Sequence, residues 1–300
     1  MTQQLAAREV DSRSAEQVPT IPRRPGRRGA YITGAIAYLI TFVVLLPLLW
    51  VAILSFEPNQ HILTSPFDLS GLTTSNYFSA VRTLHFLTMY KNTLIIAVVS
   101  VPVGLIVSYM AAFALTRMVL RHRRRRLQTA IRFYFVAGLA VPVYVILFPV
   151  YRLDVQLHLF GTYAALIVPY VATSIPFNIL LFTGFLMEFP DEIEQSAVVD
   201  GCSLFALSWR VVFPLMRPVV ATLGILNLIY VWNEFPFAVT LINDSSMTTV
   251  SLGVSQFQGQ FSADYGAMMA SAILVLVPQL IVFAIFQRQV ISGMTAGAVR

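Results

Sequence analysis

The chain has 300 residues, of which 57% are hydrophobic and 11% are charged, and its net charge is +6. About a quarter of the residues in a soluble globular domain are charged, so this composition excludes a fold that is stable in water. One cysteine excludes a disulfide framework, and 22 Phe with 12 Tyr supply too much apolar surface for a disordered chain. We therefore expect the chain to fold in lipid.

The first 30 residues are polar and basic, unlike the rest of the chain. They contain Pro19, Pro22 and Pro25 among arginine, serine and glutamine residues. Such a segment cannot bury enough apolar surface to order itself, so residues 1–30 are predicted to form a flexible basic leader. The apolar stretch that follows has 25 residues, whereas the core of a cleavable signal peptide has about 7 to 15, and we expect it to remain as an anchor.

Six stretches are long and apolar enough to cross a membrane, which requires roughly 20 apolar residues each. Five of them contain no Asp, Glu, Lys or Arg, and the fifth in order contains only Glu234. They predict an all-α integral membrane protein, a six-helix transmembrane bundle. Its predicted spans are 31–55, 92–116, 133–151, 162–187, 219–242 and 265–286.

The Lys and Arg residues indicate the orientation of the bundle, because short cytoplasmic loops retain the positive charges. Only Arg82, Lys91 and Arg152 fall on one side. The other 17 of the 20 basic residues fall on the opposite side, in residues 1–30, 117–132, 188–218 and 287–300. We therefore expect the N and C termini to be cytoplasmic, with 288–300 as a cytoplasmic tail.

The run RHRRRR at 121–126 is the densest positive charge in the chain. Its charge could bind nucleic-acid phosphates, but it lacks interleaved aromatic residues and lies in a short connection between two spans. We interpret it as a topology determinant that rests beside anionic lipid headgroups, so membrane lipid is the expected partner and nucleic acid is not.

Proline occurs in every predicted span. A proline removes one hydrogen bond from a helix, and the freed carbonyl is tolerated in a membrane where it faces protein or water. Prolines in all six spans predict kinked helices around a cavity, and favour a moving pathway over an inert anchor. These prolines are Pro47, Pro102, Pro142, Pro149, Pro169, Pro176, Pro236 and Pro278.

The connection between the fourth and fifth spans, residues 188–218, has a helical pattern of its own. Asp191 follows a proline, and Glu194 stands three positions later, which predicts a capping box at the start of a short helix. Gly201 after Asp200 predicts the left-handed residue that ends this helix.

A second short helix is predicted after this turn. Ser203 is placed to cap its start, and the helix should end before Pro214. Two short helices that meet at a turn have a shape suited to a groove in another protein.

This connection resembles the signature loop of the permease subunits of ABC importers, which reads EAA, three residues, G, nine residues, then I-x-L-P. The spacing from Gly201 to Pro214 agrees, and Asp200 precedes the glycine. Gln195 replaces the usual acid, although Glu194 is adjacent, and Ser196 replaces an alanine. The matching positions are Gln195, Ser196, Ala197, Asp200, Gly201, Val211, Val212, Phe213 and Pro214.

Three further segments are similar to the carbohydrate branch of these permeases, specifically the smaller permease subunit of maltose-type systems. They are WNEF at 232–235, SQFQGQF at 255–261 and QRQVISGMTAGAVR at 287–300. The resemblance implies a type I ABC importer permease for a sugar or oligosaccharide. A permease of this architecture for another solute, such as a polyamine or phosphate, and a secondary transporter or intramembrane enzyme are the alternatives.

Trp232, Asn233 and Glu234 place polar groups deep in the fifth predicted span. A charge at this depth is costly, so Glu234 must face the interior of the bundle. One interpretation is a polar clamp between helices. The other is a place on the solute route, because sugar sites often join an aromatic platform to amide or carboxylate acceptors.

The chain contains no phosphate-binding loop of the G-x-x-x-x-G-K-[ST] type, and its single lysine is Lys91. We expect no enzymatic activity, no cofactor and no metal, with ATP bound by a partner. The resemblance implies that residues 191–214 form a coupling loop on a cytoplasmic ATPase.

The partners that the resemblance implies are a second permease subunit, two cytoplasmic ABC ATPase subunits and an extracytoplasmic solute-binding protein. Outer connections 56–91 and 243–264 are the candidate docking surface for the binding protein, and residues 293–300 are a further candidate contact with the ATPase pair. The expected location is the inner membrane of a prokaryotic cell.

Overall fold

A computed structural model describes residues 27–65, 67–68, 71–117, 125–255 and 264–296. Most of the predicted leader, most of the basic run, nearly all of the SQFQGQF segment and the end of the tail lie outside the described residues. All regular secondary structure within these ranges is helical, as the sequence predicts.

Fourteen α-helices occur in the described ranges, with two 3-10 turns, at Gly138–Ala140 and Ser245–Met247, and one π-helical turn, at Leu207–Val212. In chain order the α-helices are α1 (Arg27–Leu54), α2 (Asn59–Thr64), α3 (Ser75–Leu84), α4 (Phe86–Arg117), α5 (Arg125–Ala137), α6 (Val143–Gln156), α7 (Tyr163–Glu188), α8 (Asp191–Val199), α9 (Leu204–Ala206), α10 (Phe213–Leu215), α11 (Arg217–Asn233), α12 (Pro236–Leu241), α13 (Val250–Val254) and α14 (Tyr265–Ala296).

Four helices, α1, α4, α7 and α14, are each long and apolar enough to cross a membrane. Two bent helix pairs are also long and apolar enough, and the described residues hold six spans when each pair is taken as one. Helix α4 begins at Phe86, six residues before the predicted start of the second span. The all-α membrane fold is therefore confirmed.

The third span is not the single helix predicted at 133–151. It is broken at Val141 and Pro142, where the two parts meet at 100°. Pro142 has no backbone N–H and disfavours a helical conformation at the residue before it, and Val141 is accordingly extended with φ −81° and ψ 113°.

The fifth span also differs from the predicted helix at 219–242. Helix α11 ends at Asn233, and α12 begins at Pro236. A continuous helix would need the Pro236 nitrogen to donate to the carbonyl of Trp232, and proline has no hydrogen to give. Glu234 lies in the break in an extended conformation.

The other prolines do not break their helices. Helices α1, α4 and α14 run through Pro47, Pro102 and Pro278, and α7 contains both Pro169 and Pro176. Among the described spans, only the third and the fifth are interrupted at a proline, and the prediction of kinks in the other four helices stays a prediction. One freed carbonyl is tolerated in a long membrane helix when the turns on both sides keep their hydrogen bonds.

Helices α4 and α7 form the most extensive helix pair in the described part of the chain. Four small residues at intervals of four, Ser100, Gly104, Ser108 and Ala112, are buried along α4. Small side chains let two membrane helices approach closely, because lipid supplies no hydrophobic force to join them. A Cβ atom built at Gly104 would lie 2.6 Å from the hydroxyl oxygen of Ser174 on α7.

Gly104→Val should therefore separate α4 from α7 and lower the free energy of unfolding by about 1 to 3 kcal/mol, the usual cost of overpacking. Gly184→Val on α7 is the matched control, because a Cβ atom there meets no atom within 4 Å. Thermal unfolding of the detergent-purified chain measures both. Equal stability of the two variants would contradict this account of the helix contact.

Candidate functional site

The loop between α7 and α11 contains two short helical arms that meet at Gly201. The first arm is α8, and Gly201 follows it with φ +80°. The N–H groups of Gly201 and Cys202 donate to the carbonyls of Val198 and Ala197, each at 3.0 Å. This is a Schellman ending, which requires the left-handed conformation that glycine adopts without strain. The predicted role of Gly201 as a helix stop is confirmed.

The start of the first arm differs from the sequence prediction. Pro190 is the residue before α8, and no side chain caps the helix. Asp191 is already inside the helix, so the predicted capping box with Glu194 was wrong. Glu194 instead faces the membrane helices, where it forms an ion pair.

The second arm begins as predicted and ends later than predicted. The hydroxyl oxygen of Ser203 accepts the N–H of Ala206 at 3.3 Å, which caps α9. The arm then widens into the π-helical turn and continues through Pro214 to Leu215. In an α-helix the proline ring would clash with the carbonyl four residues earlier, and the wider π turn relieves this clash.

Tyr109 of α4 holds the second arm against the bundle. The fully buried tyrosine donates its hydroxyl to the carbonyl of Ser208 at 2.7 Å and receives the Ser208 hydroxyl at 3.1 Å. Its ring packs edge-on against Trp209 and Phe213, with centroids 5.5 and 5.1 Å apart. No local sequence pattern pairs residues 99 positions apart, so Tyr109 could not be predicted from motifs.

Arg117, the last residue of α4, holds the first arm. Its Nε donates to Oε1 of Glu194 at 2.7 Å, and its Nη2 donates to the carbonyl of Leu186 in the last turn of α7. Both side chains of the ion pair are largely buried. From the sequence, Arg117 is only one of the seven basic residues in 117–132, and no contact is predicted for it.

The remaining predicted loop residues divide between two faces of the loop. Ala197, Val211 and Phe213 pack on the buried cluster around Tyr109, and Pro214 is half-buried. The exposed predicted residues are Gln195, Ser196, Asp200 and Gly201.

Beside the turn, two large apolar side chains point outward. Val199 is 87% exposed and Phe205 is 72% exposed. The loop is thus bound to the bundle by one face and presents apolar groups at its tip.

Glu234, at the break between α11 and α12, is only 5% exposed. Its Oε1 accepts the N–H of Phe237 at 2.8 Å, and its Oε2 accepts the hydroxyl of Tyr170 at 2.5 Å. A weaker bond at 3.3 Å comes from the N–H of Ala238. The carboxylate therefore caps α12 and ties it to α7, which is the clamp interpretation. The backbone carbonyl of Glu234 also accepts the hydroxyl of Ser251.

The two other residues of this candidate set face different surroundings. Trp232 is buried, donates to the carbonyl of Val275 on α14 at 3.2 Å and stacks on Tyr90 of α4. Asn233 is exposed and donates to the carbonyl of Ile229 in its own helix. Of the three side chains, only that of Asn233 is exposed.

The two connections predicted to be outer meet at the other end of α4 from Arg117, and the 32 residues of this helix span about 48 Å at 1.5 Å per residue. Asn92 donates to the carbonyls of Ser246 and Thr248, each at 2.9 Å. A pocket of about 410 Å³ lies here between the connections. It is lined by Thr83, Leu84, His85, Thr88, Met89, Ser245, Ser246 and Thr248.

One acidic residue in this region has a clear electrostatic environment. The N–H of Ser246 donates to Oδ1 of Asp244 at 2.8 Å, and this bond holds the pKa of the exposed carboxyl below its usual value. Within the described residues, no three His, Cys, Asp or Glu side chains gather in a way that could hold a metal ion.

Residues 100–295 match the model of the family described as binding-protein-dependent transport system inner membrane component. The chain is 38% identical to a protein of Caldicellulosiruptor sp. (strain Rt8B.4) whose name describes an ABC transporter permease, over 87% of this chain and 93% of that protein. It is 30% identical to a trehalose/maltose transport system permease protein of Thermococcus litoralis, over 91% and 97% of the two chains.

A crystal structure of a bacterial ABC transporter involved in alginate import contains a chain with the same fold. The TM-score is 0.72 at 19% identity, over 88% of this chain and 98% of that chain. The described spans, the two-armed loop and these similarities all indicate the same fold and family. The protein is a multi-pass membrane protein with the ABC importer permease fold, and it belongs to the family of inner membrane components of binding-protein-dependent transport systems.

Proposed function

We propose that this chain is a permease subunit of an ATP-driven importer of a sugar or oligosaccharide. It forms half of the translocation pathway with a second permease subunit, and two separate cytoplasmic ABC ATPase subunits bind and hydrolyse the ATP. An extracytoplasmic solute-binding protein delivers the sugar. The chain itself supplies the route and the mechanical connection to the ATPase.

The observation that carries this proposal is the architecture of the loop at 191–214. Its inner face is bound to α4 by Tyr109 and Arg117, while Val199 and Phe205 are exposed at its tip. Exposed apolar groups on a rigid turn are suited to a groove on a partner protein. A partner that moves this tip would move the membrane helices attached to it.

The charge distribution supports a cytoplasmic position for the loop. Arg210 and Arg217 lie within or beside it, and residues 117–132, from the last residue of α4 into α5, include seven arginines. ATP is cytoplasmic, so this orientation puts the loop on the side of the ATPase and both termini with it. The family description supports the inner membrane of a prokaryotic cell.

The sugar assignment is supported by the names of relatives. One relative is a trehalose/maltose permease, and the alginate importer shares the fold.

The pocket between the outer connections carries hydroxyl side chains on Thr83, Thr88 and Ser246. We place the docking of the solute-binding protein there, where hydroxyl groups can bond to a polar protein surface.

Phe205→Glu tests the docking of the loop tip. Because the side chain is exposed, the substitution should leave the fold intact, while a charge in an apolar contact should weaken ATPase association by about tenfold or more. Phe205→Leu, which keeps the apolar surface, is the matched control. Recovery of ATPase subunits with the tagged chain from detergent extracts measures the effect. Undiminished recovery with Phe205→Glu would count against the docking role.

A further inference from the structure

The last residue of α4 joins three separate elements at the loop end of the bundle. Arg117 ends α4, its Nη2 group bonds to the carbonyl of Leu186 in the last turn of α7, and its Nε bonds to Glu194 in the first turn of α8. The last carbonyls of a helix have no partner within it, so Arg117 satisfies one of them. The cation also lies favourably at the negative end of the α7 dipole.

The ion pair is held in a defined geometry. Arg117 and Glu194 retain 15% and 13% of their side-chain exposure, and the Nε to Oε1 distance is 2.7 Å. An exposed ion pair contributes little because water competes for both charges, whereas a largely buried, hydrogen-bonded pair is rigid and loses much when one partner is removed. This contact can therefore transmit a displacement between α8 and α4.

Glu194 is the residue beside the position where the family signature has its acid. That position holds Gln195, whose side chain is exposed on the outer face of α8. The carboxylate in this chain instead points inward, one residue earlier and about 100° around the helix. The charge next to the signature position therefore serves an internal contact.

The second arm is attached to the same helix eight residues earlier. Tyr109 and Arg117 lie on α4 about 12 Å apart along its axis, at 1.5 Å per residue. Tyr109 bonds to the π-helical turn of the second arm, and Arg117 bonds to the first arm. A π turn inside a helix frequently marks a functional site. One membrane helix thus holds both arms of the loop.

We propose that Arg117 is a positioning residue. With Glu194 it forms a strut, which is the ion-paired contact that transmits a displacement of the coupling loop to α4. This role rests on the proposed function, because it needs a partner ATPase to move the loop. The strut keeps α8 fixed to α4 and α7 while the tip is displaced. Without it, α8 can pivot about Gly201, and ATP is hydrolysed without moving the membrane helices.

A double-mutant cycle on the assembled transporter tests the strut. The complex is purified through a tag on this chain and reconstituted in liposomes with its binding protein and radiolabelled maltose or trehalose, whichever that protein retains. Sugar taken up per ATP hydrolysed is measured for Arg117→Gln, Glu194→Gln and the double variant. Each single variant should lower this ratio by about fivefold or more, the usual scale of coupling between sites.

The double variant separates a strut from two independent effects. If the residues act as one contact, the ratio of sugar taken up to ATP hydrolysed in the double variant should be no lower than in the single variant with the lower ratio. A loss in the double variant equal to the product of the two single losses would overturn the strut. An unchanged ratio in both single variants would overturn it as well. Because the ratio is taken on complexes that are already assembled, loss of folded protein does not change it.

Two controls make the result specific. Arg132→Ala removes a partly buried arginine from the same end of the bundle, whose guanidinium donates to Sδ of Met187 and not to the loop, and should leave the ratio unchanged. A fivefold loss there would overturn the specific role of Arg117. Arg117→Lys keeps the charge but has one donor group in place of two, and should retain more coupling than Arg117→Gln. Equal losses in Arg117→Lys and Arg117→Gln would overturn the ion pair as the cause.

Failure of the strut can be distinguished from failure of the proposed function. If no ATPase subunit copurifies with the unaltered chain, the proposed function fails and the strut with it. If the ATPase copurifies and Gly201→Val uncouples transport while the Arg117 and Glu194 variants do not, only the strut is refuted.

Discussion

Gly201→Val should abolish most sugar uptake while leaving the chain in the membrane. Gly201 has φ +80°, and a Cβ atom there would meet no atom within 4 Å. The penalty is therefore one of backbone conformation and not of space. A left-handed residue other than glycine costs about 1 to 2 kcal/mol, and a β-branched residue costs more. The turn should open, and the two arms should lose the angle between them.

Gly201→Asn is the matched control, because asparagine tolerates the left-handed conformation better than any other common residue apart from glycine. We expect the asparagine variant to retain uptake and the valine variant to lose about tenfold or more, since 1.4 kcal/mol corresponds to a factor of ten. Uptake by membrane vesicles with normal amounts of assembled complex is the measurement. Full uptake by Gly201→Val would refute the mechanical role of the turn.

Glu234→Ala should reduce the amount of folded protein as much as it reduces transport. The carboxylate accepts bonds from Tyr170, Phe237 and Ala238, and each buried donor left without a partner costs about 1 to 3 kcal/mol. Helix α12 would also lose its cap. Thermal unfolding in detergent should show a loss of about 2 to 6 kcal/mol, summed over the first two donors.

Asn233→Ala is the comparison for this prediction, because Asn233 is the adjacent polar residue and its side chain is exposed. Its removal should change stability by less than about 0.5 kcal/mol, as at most surface positions. If Glu234→Ala folded and assembled normally but did not transport, Glu234 would lie on the solute route and the clamp interpretation would be wrong.

The sequence predicted the class of fold because that prediction rests on composition and length. Five charge-free stretches can only be stable in lipid, and lipid requires helices that satisfy their own backbone. The family resemblance rested on the spacing from Gly201 to Pro214, and the family match confirms it. Local stop and cap signals were also reliable where one residue decides the conformation, as at Gly201 and Ser203.

The predictions that failed concern choices between two local outcomes. Pro142 breaks its helix and Pro102 does not, although both lie in long apolar stretches. The sequence pattern around these two prolines does not distinguish the two outcomes. Glu194 satisfies a capping pattern, but the arginine 77 residues earlier is a stronger partner than a backbone N–H.

The candidate site shows the same division. The loop could be located from sequence because its residues are consecutive. Tyr109 and Arg117 could not, since their contacts to Ser208 and Glu194 join residues 99 and 77 positions apart. The set at 232–234 reads as one polar motif, yet the helix break points the three side chains in different directions.

Photo-cross-linking from the loop tip tests the central claim most directly. A photoreactive amino acid is placed at Val199, which is exposed at the turn, and a second one at Thr83 in the outer pocket as the comparison. Irradiation of intact vesicles should join position 199 to a cytoplasmic ATPase subunit, with a yield that changes when ATP is added, and position 83 to the solute-binding protein. Cross-links from position 199 to the binding protein, or none to any ATPase, would contradict the account.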